Sequence, residues 1–336
     1  MATVYDIAKA AGVSYSTATR VLNGRANYTR PTFAKRAAKI RKIANDMGYR
    51  PHAAARAMSS GKFDAIGIVI RRGEKFGLGP HPGYLRGICA ALEPMGRSLV
   101  VAPVRPDALT ADADPRVLSE KMVDGLLIGN HDALGLEADT TIDQLHIPAV
   151  WLNSKREFNA VYPDDFGGAK KATEHLLQLG HKRIAFAGSP DSGHYSSNDR
   201  VAGYAAAMKA AGLTPRDAIW SESQSIRRSL IETAIMASDR PTAFLVMGDL
   251  HEAVLFAAAK LGIEVPKDLS VLAIDHGQAT GGYVVDTHCI PAYHVGVHGT
   301  QMLAERIDSP SAEPKRAMAV PYQNFMPGET LAKASS

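Results

Sequence analysis

The chain of 336 residues is long enough for two or three domains, and its 46% hydrophobic and 21% charged residues are typical of an ordinary globular protein. No apolar run reaches the roughly 18 residues that a membrane-spanning helix needs. Asp6 and Lys9 interrupt the segment in which a secretory signal would be apolar, so we expect a cytoplasmic protein with no membrane partner. Cys89 and Cys289 stand alone in the sequence, and neither a disulfide framework nor a zinc site is predicted.

The net charge of +4 is divided unevenly along the chain. Residues 1–62 hold twelve basic side chains against two acidic ones, a net charge of +10, while the remainder carries −6. Such a surplus in a short segment favours a polyanion as partner, because each neutralised phosphate releases counterions. Basic segments also occur as solvated faces or membrane-surface helices, so charge alone leaves the partner open.

The basic segment has a pattern typical of three short helices. Thr3 and Asp6 form a capping box before apolar residues at helical spacing, and Gly12 ends this first helix. Ser14 is expected to cap a second helix over Tyr15–Leu22. A third helix is predicted from about residue 29 to 47, with an apolar stripe of Phe33, Ala37, Ile40, Ile43, Ala44 and Met47. Two short helices joined by a glycine turn predict a helix-turn-helix, whose second helix can enter a DNA major groove.

Two stretches resemble the helix-turn-helix and hinge of the lactose-repressor and galactose-repressor (LacI/GalR) family of bacterial transcription regulators: VYDIAKAAGVSYSTATRVLNG and GYRPHAAARAMSSGK. The resemblance implies that Tyr15, Ser16 and Arg20 read bases in the major groove. It also implies that four further residues hold phosphates, namely Thr3, Ser14, Thr19 and Asn23. The alternative, that these are only surface and capping residues, applies in part to Thr3 and Ser14. Between residues 24 and 49 the chain is about one helical turn longer than is usual in the family, so the contacts of residues 25–30 are not transferred.

The alanine-rich segment 52–60 is too short to be a stable helix on its own. The resemblance implies that two such hinge helices from a dimer pack in the minor groove, where an apolar side chain from each opens a base step. Met58 stands where the family usually has leucine at this wedge position. Ala55 is expected at the groove floor, and Arg56 is expected to pair with phosphate or with the rest of the protein. A plain flexible linker is the alternative interpretation.

From Phe63 onward, short apolar strands alternate with helices, which predicts parallel sheets covered on both faces. The predicted strands are AIGIVI, SLVVAP, GLLIG, PAVWLN, RIAFAG, AFLVM and SVLAI. The predicted fold class is a small all-α helix-turn-helix headpiece plus an α/β core. The resemblance adds that the core consists of two doubly wound parallel-sheet lobes of the periplasmic-binding-protein type.

This pattern predicts a DNA-binding domain in residues 1–50, a hinge in 51–62 and an effector-binding core in 63–336. One lobe is expected to comprise about 63–163 with 292–321, and the other about 164–291 with 322–336. The resemblance also implies three crossings between the lobes, which we place near Pro163, Pro291 and Pro321. The segment after Pro327 is too short for the additional helix that makes some relatives tetramers, so we expect a homodimer.

Polar residues follow several predicted strands, and ligands of open α/β sheets lie at the carboxyl ends of strands. The resemblance implies effector contacts at Asn153, Arg200, Asp249 and Asp275, although each aspartate is equally a candidate helix cap. Trp220 is a candidate apolar face for a sugar ring, and Arg71 is expected near the cleft mouth in the long loop 71–82. Three departures from the family are Gly248, His276 and Ile290. We hypothesise that the effector is a sugar or sugar derivative, and the arginines are compatible with an acidic one.

Other chemistries have little support in the sequence. Asp165-Phe166-Gly167 spells a kinase tripeptide without the accompanying kinase motifs, and we interpret it as a helix start. His294 and His298 stand four residues apart without a third ligand, as on a solvated helix face. No catalytic residue, metal or cofactor is predicted, and we do not expect an enzyme.

The sequence therefore predicts a homodimeric transcriptional repressor that binds pseudo-palindromic double-stranded operator DNA and is controlled by a small-molecule effector. The alternative is a cytoplasmic sugar-binding or solute-binding protein without a DNA function. Binding to duplex DNA that weakens steeply with salt distinguishes the two hypotheses.

Overall fold

The computed structural model describes residues 2–23, 31–71, 81–104, 120, 122–129, 142, 146–277 and 284–334. The chain divides into two compact units, Met1–Asp64 and Ala65–Ser336. Within the described ranges, every helix is too short or too polar to traverse a lipid bilayer.

The described residues of the first unit form four helices, and the first three share one small core. The helices are α1 (Val4–Ala11), α2 (Tyr15–Leu22), α3 (Pro31–Asp46) and α4 (Ala53–Ser60). The buried core residues are Ile7, Ala11, Val21, Ala37, Ile40 and Ala44. They recur at helical spacing on α1, α2 and α3, so one apolar stripe from each helix meets the other two. A unit of this size buries little apolar surface, and its stability is correspondingly marginal.

Two residues of the predicted α3 stripe lie outside this core. Phe33 and Met47 are 52% and 38% exposed. The cause is length: α1 and α2 have eight residues each and cannot cover both ends of a sixteen-residue helix. The guanidinium carbon of Arg36 lies 6.0 Å from the centre of the Phe33 ring, which partly covers the exposed aromatic face.

The second unit begins with a six-stranded sheet in the order β10-β5-β4-β3-β1-β2. All its strand pairs are parallel. The strands are β1 (Ala65–Arg71), β2 (Ser98–Val104), β3 (Gly125–Gly129), β4 (Ala149–Leu152), β5 (Ala160–Pro163) and β10 (Met318–Val320). Every residue of β3 is buried, as expected for a central parallel strand.

Two helices, α5 (Pro82–Leu92) and α10 (Ala292–Asp308), belong to this first lobe and pack against each other. A Cβ atom on Gly87 would collide with the carbonyl oxygen of Tyr293, and one on Gly296 would collide with that of Tyr84. Only glycine at these two positions allows the backbones of α5 and α10 to approach so closely.

The second lobe contains a five-stranded sheet in the order β11-β9-β8-β7-β6. Its strands are β6 (Ile184–Ala187), β7 (Ala243–Met247), β8 (Ser270–Asp275), β9 (Thr287–Cys289) and β11 (Phe325–Met326), and only β11 runs antiparallel to its neighbour. The helices are α6 (Asp165–Gln178), α7 (Tyr195–Ala210), α8 (Gln224–Met236) and α9 (Leu250–Lys260). Separate apolar clusters join α6 with α7 and α8 with α9 to the sheet, so the lobe is doubly wound. The predicted fold class is confirmed.

Three crossing segments join the lobes. The first connects β5 to α6 at residues 163–165, the second connects β9 to α10 at 289–292, and the third connects β10 to β11 at 320–325. The strands that border them, β5, β9, β10 and β11, are two to four residues long. Their shortness explains why an apolar-run criterion did not predict them.

Candidate nucleic-acid interface and effector cleft

The starts of α1 and α2 are fixed by side-chain caps. The Thr3 hydroxyl donates to Asp6 Oδ2 at 2.7 Å, and the Asp6 backbone N–H donates to Thr3 Oγ1 at 3.3 Å. The hydrogen bond from the Thr3 side chain lowers the pKa of Asp6, which keeps a negative charge at the helix amino terminus. Ser14 Oγ accepts the N–H of Thr17 at 3.3 Å. Thr3 and Ser14 are thus helix caps in the structure, and any phosphate contact would be additional.

The outer face of α2 presents the residues predicted to read bases. Tyr15 is 57% exposed, and Ser16 and Arg20 are also exposed. Ser16 and Arg20 are four residues apart, so they share one side of the helix. Thr19 is half-buried and its hydroxyl donates to the Tyr15 carbonyl at 2.9 Å, while half-buried Asn23 ends the helix.

The first unit has a strongly basic surface. Nine of its described Lys and Arg side chains are exposed: Lys9, Arg20, Lys35, Arg36, Lys39, Arg41, Lys42, Arg50 and Lys62. Its three acidic residues, Asp6, Asp46 and Asp64, are exposed as well and offset only part of this charge. The resulting positive potential attracts a polyanion and accelerates its association. Residues 25–30, in the longer segment, lie outside the described residues.

The predicted hinge contains one eight-residue helix, α4. The Ser60 hydroxyl donates to the Arg56 carbonyl at 2.8 Å, and Gly61 closes the helix with a left-handed φ of 68°. Ala55 is exposed and Arg56 is half-buried. The side chain of Met58 lies outside the described part of the chain, so its wedge role stays a prediction.

A buried ion pair lies where the first and third crossing segments meet. Asp165, the first residue of α6, has a fully buried side chain. Its Oδ1 accepts from Arg200 Nε at 2.7 Å and from the Tyr322 hydroxyl at 2.6 Å. Burial and the charge of Asp165 raise the pKa of Tyr322, so the phenol remains a donor. We call Asp165, Arg200 and Tyr322 the Asp165 network.

Asn153 links the first lobe to the helix that carries Arg200. It follows β4 in a left-handed conformation with a φ of 55°. The Tyr195 hydroxyl donates to Asn153 Oδ1 at 3.2 Å, and His194 Nε2 lies 3.0 Å from the Asn153 carbonyl oxygen. Burial, followed by the charge of Asp165, raises the pKa of Tyr195. The structure thus gathers Asn153 and Arg200, two predicted effector residues, around Asp165.

The two lobes touch through a pair of stacked histidines. The His81 and His276 rings are 3.6 Å apart, with 9° between their planes. His81 precedes α5 and its Nδ1 accepts the N–H of Gly83 at 3.1 Å. His276 follows β8, and its backbone N–H donates to Asp275 Oδ1 at 2.7 Å. Asp275, a third predicted effector residue, is therefore adjacent to the contact between the lobes.

The remaining predicted effector residues have other surroundings. The guanidinium of Arg227 lies 4.6 Å from the centre of the Trp220 ring. Asp249 is exposed at the start of α9 and lines a groove of about 320 Å³ between α8 and α9, together with Arg227 and Phe256. Arg71 ends β1, and its side chain lies outside the described residues.

The residues considered for kinase or metal-binding chemistry make contacts that are typical of helix starts and helix surfaces. Asp165-Phe166-Gly167 begins α6, as expected from the sequence. His298 Nδ1 lies 3.3 Å from Gln301 Oε1 on the same helix, and the His294 ring has an edge contact with Tyr293. Across the ranges that the structure describes, no group of three or more His, Cys, Asp or Glu residues is arranged to hold a metal ion.

Comparison with known proteins identifies the family. Residues 3–52 match the family of bacterial regulatory proteins, lacI family, and residues 173–331 match the periplasmic binding protein-like domain. An uncharacterized HTH-type transcriptional regulator in the aml 5′ region of Streptomyces limosus is 30% identical over 292 residues, which cover 81% of this chain and 78% of that protein. The chain belongs to the lacI family.

Other lacI-family proteins match over similar lengths. The HTH-type transcriptional regulator DegA of Bacillus subtilis (strain 168) is 28% identical over 292 residues, covering 82% of this chain and 81% of DegA. The crystal structure of the Lac repressor dimer bound to operator and the anti-inducer ONPF has a TM-score of 0.76 at 21% identity, covering 98% of this chain and 99% of that one. A complex of the transcriptional regulator CelR with cellobiose has a TM-score of 0.64 at 21% identity, covering 98% and 100%.

Sequence reasoning missed Asp165, Tyr195 and Tyr322 as site residues of this lacI-family chain. The sequence did contain a signal for Asp165, because two consecutive acidic residues, Asp164 and Asp165, follow β5. Asp164 Oδ1 accepts the N–H of Gly167 at 2.9 Å and so caps α6. Because one acid is enough to cap the helix, the second is available for another role.

Half-buried His276 and buried His288 make the stability of this lacI-family protein sensitive to acid. Burial lowers the pKa of His276 to about 3, and the neighbouring His81 and Arg200 act in the same direction. Burial also lowers the pKa of His288 to about 4. His288 Nε2 lies 3.2 Å from His175 Nδ1, a contact in which one nitrogen must accept and therefore remain unprotonated.

We expect the free energy of unfolding to fall when the pH is lowered from 7.5 to 5.0. The folded-state pKa values of His276 and His288 lie below the ordinary value of 6.5. The stability that depends on these histidines being neutral is therefore complete above pH 6.5 and is lost as the pH falls. The loss at pH 5.0 is about 2 kcal/mol for each of His276 and His288. Urea unfolding at the two pH values measures it. The double variant His276→Gln/His288→Gln should lose most of this pH dependence of the free energy of unfolding. The variant His52→Gln, which changes an exposed histidine, should keep it. An equal pH dependence in all three proteins would show that His276 and His288 are not its source.

Proposed function

We propose that this lacI-family protein is a homodimeric transcriptional repressor, with a DNA-binding domain in residues 1–50, a hinge in 51–62 and an effector-binding core in 63–336. It would act in the cytoplasm and lie on the nucleoid when bound to its operator. The observation that carries the proposal is the exposed polar face of α2 within a segment, residues 1–62, whose sequence has a net charge of +10. A recognition helix in the major groove needs this combination of base-reading side chains and phosphate attraction.

In this proposal, Tyr15, Ser16 and Arg20 contact base edges. Phosphates are held by residues that flank the helices, namely Thr3, Ser14, Thr19 and Asn23. In the hinge, Met58 enters the minor groove, Ala55 faces its floor and Arg56 binds phosphate. The eight-residue length of α4 supports a helix that becomes stable only against a partner.

We further propose that the effector is a sugar or sugar derivative held by Asn153, Arg200 and Asp275. These residues supply amide, guanidinium and carboxylate groups, which can donate to and accept from hydroxyl groups. The CelR–cellobiose complex, which has the same fold, supports a sugar as ligand class. Arg71, Trp220 and Asp249 are proposed as additional effector contacts.

An exposed apolar surface on α8 and α9 supports the proposed dimer. Ile226, Leu230 and Phe256 are 55%, 41% and 60% exposed. Ile226 and Leu230 are four residues apart and lie on one side of α8. A two-fold dimer would cover this surface with its own copy and would match a pseudo-palindromic operator. The Lac repressor of similar fold forms a dimer on its operator.

Replacing Arg20 by Ala is expected to weaken binding to a selected operator about 10- to 100-fold, since a bidentate contact to guanine contributes about 1–3 kcal/mol. The operator is first selected from random duplexes with the wild-type protein, and affinities are measured by competition and footprinting. Footprints should show two half-sites about 10 base pairs apart.

The matched control for this variant is Arg36→Ala, which removes the same charge from an exposed position on α3. It should weaken selected and random duplexes alike and leave their affinity ratio unchanged. If Arg20→Ala also preserves that ratio, Arg20 does not read sequence.

A further inference from the structure

We propose that Asp165 and Tyr322 are positioning residues that hold Arg200 ready for the effector and connect it to two crossing segments. The inference rests on the proposed effector cleft. Neither residue need touch the effector, because their effect is exerted through the guanidinium of Arg200.

The pairing at Asp165 fixes the plane of the Arg200 guanidinium. Arg200 uses its Nε–H at 2.7 Å and also hydrogen-bonds to Tyr322, so the other N–H groups of the guanidinium remain for further partners. An unrestrained arginine loses several rotamers when a ligand orders it, whereas a restrained one has already lost them. Arg200 has 17% of its side chain exposed, so this ordered donor fork retains access to solvent.

Burial prevents Arg200 from leaving Asp165 easily. The Asp165 side chain has no exposed surface, and its Oδ2 atom has no hydrogen-bond partner among the described residues. The charge of the carboxylate is compensated at Oδ1 by Arg200 and Tyr322, and Tyr195 lies close enough for Asp165 to raise its pKa. Departure of the guanidinium would leave a buried charge without its counterion, which is strongly unfavourable.

The same carboxylate joins two crossing segments. Asp165 belongs to the first segment and Tyr322 to the third. The Tyr322 ring packs directly on Gly168, where an added Cβ atom would collide with it, and Lys171 Nζ donates to the Tyr322 carbonyl at 3.1 Å. The start of α6 and the third segment therefore form one packed assembly. An effector that binds Arg200 therefore acts on both crossing segments together. Because these segments connect the lobes, the effector makes different contacts in the open and closed arrangements of the lobes.

The test uses the full-length variants Asp165→Asn and Tyr322→Phe, which keep side-chain shape while removing the charge or the donor. Two controls make the same changes elsewhere in the second lobe. Asp286→Asn alters a buried carboxylate that accepts the N–H groups of Gly328 and Thr330, and Tyr204→Phe removes a buried hydroxyl that donates to the Ile184 carbonyl. All four proteins are compared at a temperature at which they remain folded.

Two readouts separate positioning from general stability. The first is hydrogen exchange of the Arg200 Nε–H by NMR, assigned with the variant Arg200→Lys. The second is calorimetric titration with the one sugar, from D-ribose, D-glucose, D-galactose and cellobiose, that most raises the melting temperature of the wild-type protein.

We expect Asp165→Asn to speed exchange and weaken sugar binding about tenfold or more, and Tyr322→Phe about threefold, because charge-assisted hydrogen bonds are the stronger ones. The controls should remain within about twofold of wild type. Unchanged exchange or unchanged sugar affinity in Asp165→Asn would overturn the proposal, as would equal losses in the controls. If the wild-type protein binds none of the four sugars, the proposed effector class fails, and the exchange measurement alone decides the role of Asp165.

Discussion

Duplex DNA binding is expected to weaken about 10³- to 10⁵-fold between 50 and 200 mM salt if the bound protein contacts six to ten phosphates. The physical reason is counterion release by the exposed Lys and Arg side chains of the first unit, since each neutralised phosphate contributes about 0.9 to the slope of log affinity against log salt. Fluorescence anisotropy with a labelled duplex measures this slope.

Single basic residues provide the control for this prediction. Lys42→Ala, which removes one exposed charge, should reduce the slope by about one if Lys42 contacts a phosphate. Binding of a neutral sugar by the same protein should change little over this range. A weak, salt-independent interaction with DNA would instead favour a solute-binding protein without a DNA function.

Replacing Ile40 by Ala is expected to destabilise the first unit by about 2–5 kcal/mol, because it leaves a cavity in a small core. Ile40 is fully buried among residues of α1, α2 and α3. A loss of this size exceeds what a marginal unit can tolerate, so DNA binding should disappear at 37 °C. Calorimetry should show an unchanged transition for the second unit, since the two compact units have separate cores.

Phe33→Ala is the matched control on the same helix. It removes a larger apolar side chain, but one that is 52% exposed, and should change stability by about 0.5 kcal/mol or less. Equal losses for Phe33→Ala and Ile40→Ala would mean that the core is not organised as the structure shows.

The features that could be predicted from the sequence are those encoded by neighbouring residues. The capping box of Thr3 and Asp6 is set by a three-residue spacing, and the limits of α2 by Ser14 at one end and Asn23 at the other. The central strands were predictable because each is a continuous apolar run between helices.

The Asp165 network could not be predicted in this way. Tyr322 lies 157 residues from its partner Asp165, and no local pattern connects a tyrosine in one crossing segment with an acid in another. Likewise, His276 was recognised only as a departure from the family, because its stacking on His81 depends on how the two lobes meet. The exposure of Phe33 depends on the lengths of α1 and α2, which helical spacing within α3 does not reveal.

The glycine contacts between α5 and α10 determine where motion can occur in the effector core. Helices whose backbones touch through Gly87 and Gly296 cannot slide past one another without steric clash, so shear between α5 and α10 is blocked. Because α10 starts where the second crossing segment ends, a rotation there would turn α10 and α5 together. We therefore expect opening and closing of the core to use the backbone torsions of the three crossings, and substitutions that stiffen those torsions should trap one arrangement of the lobes.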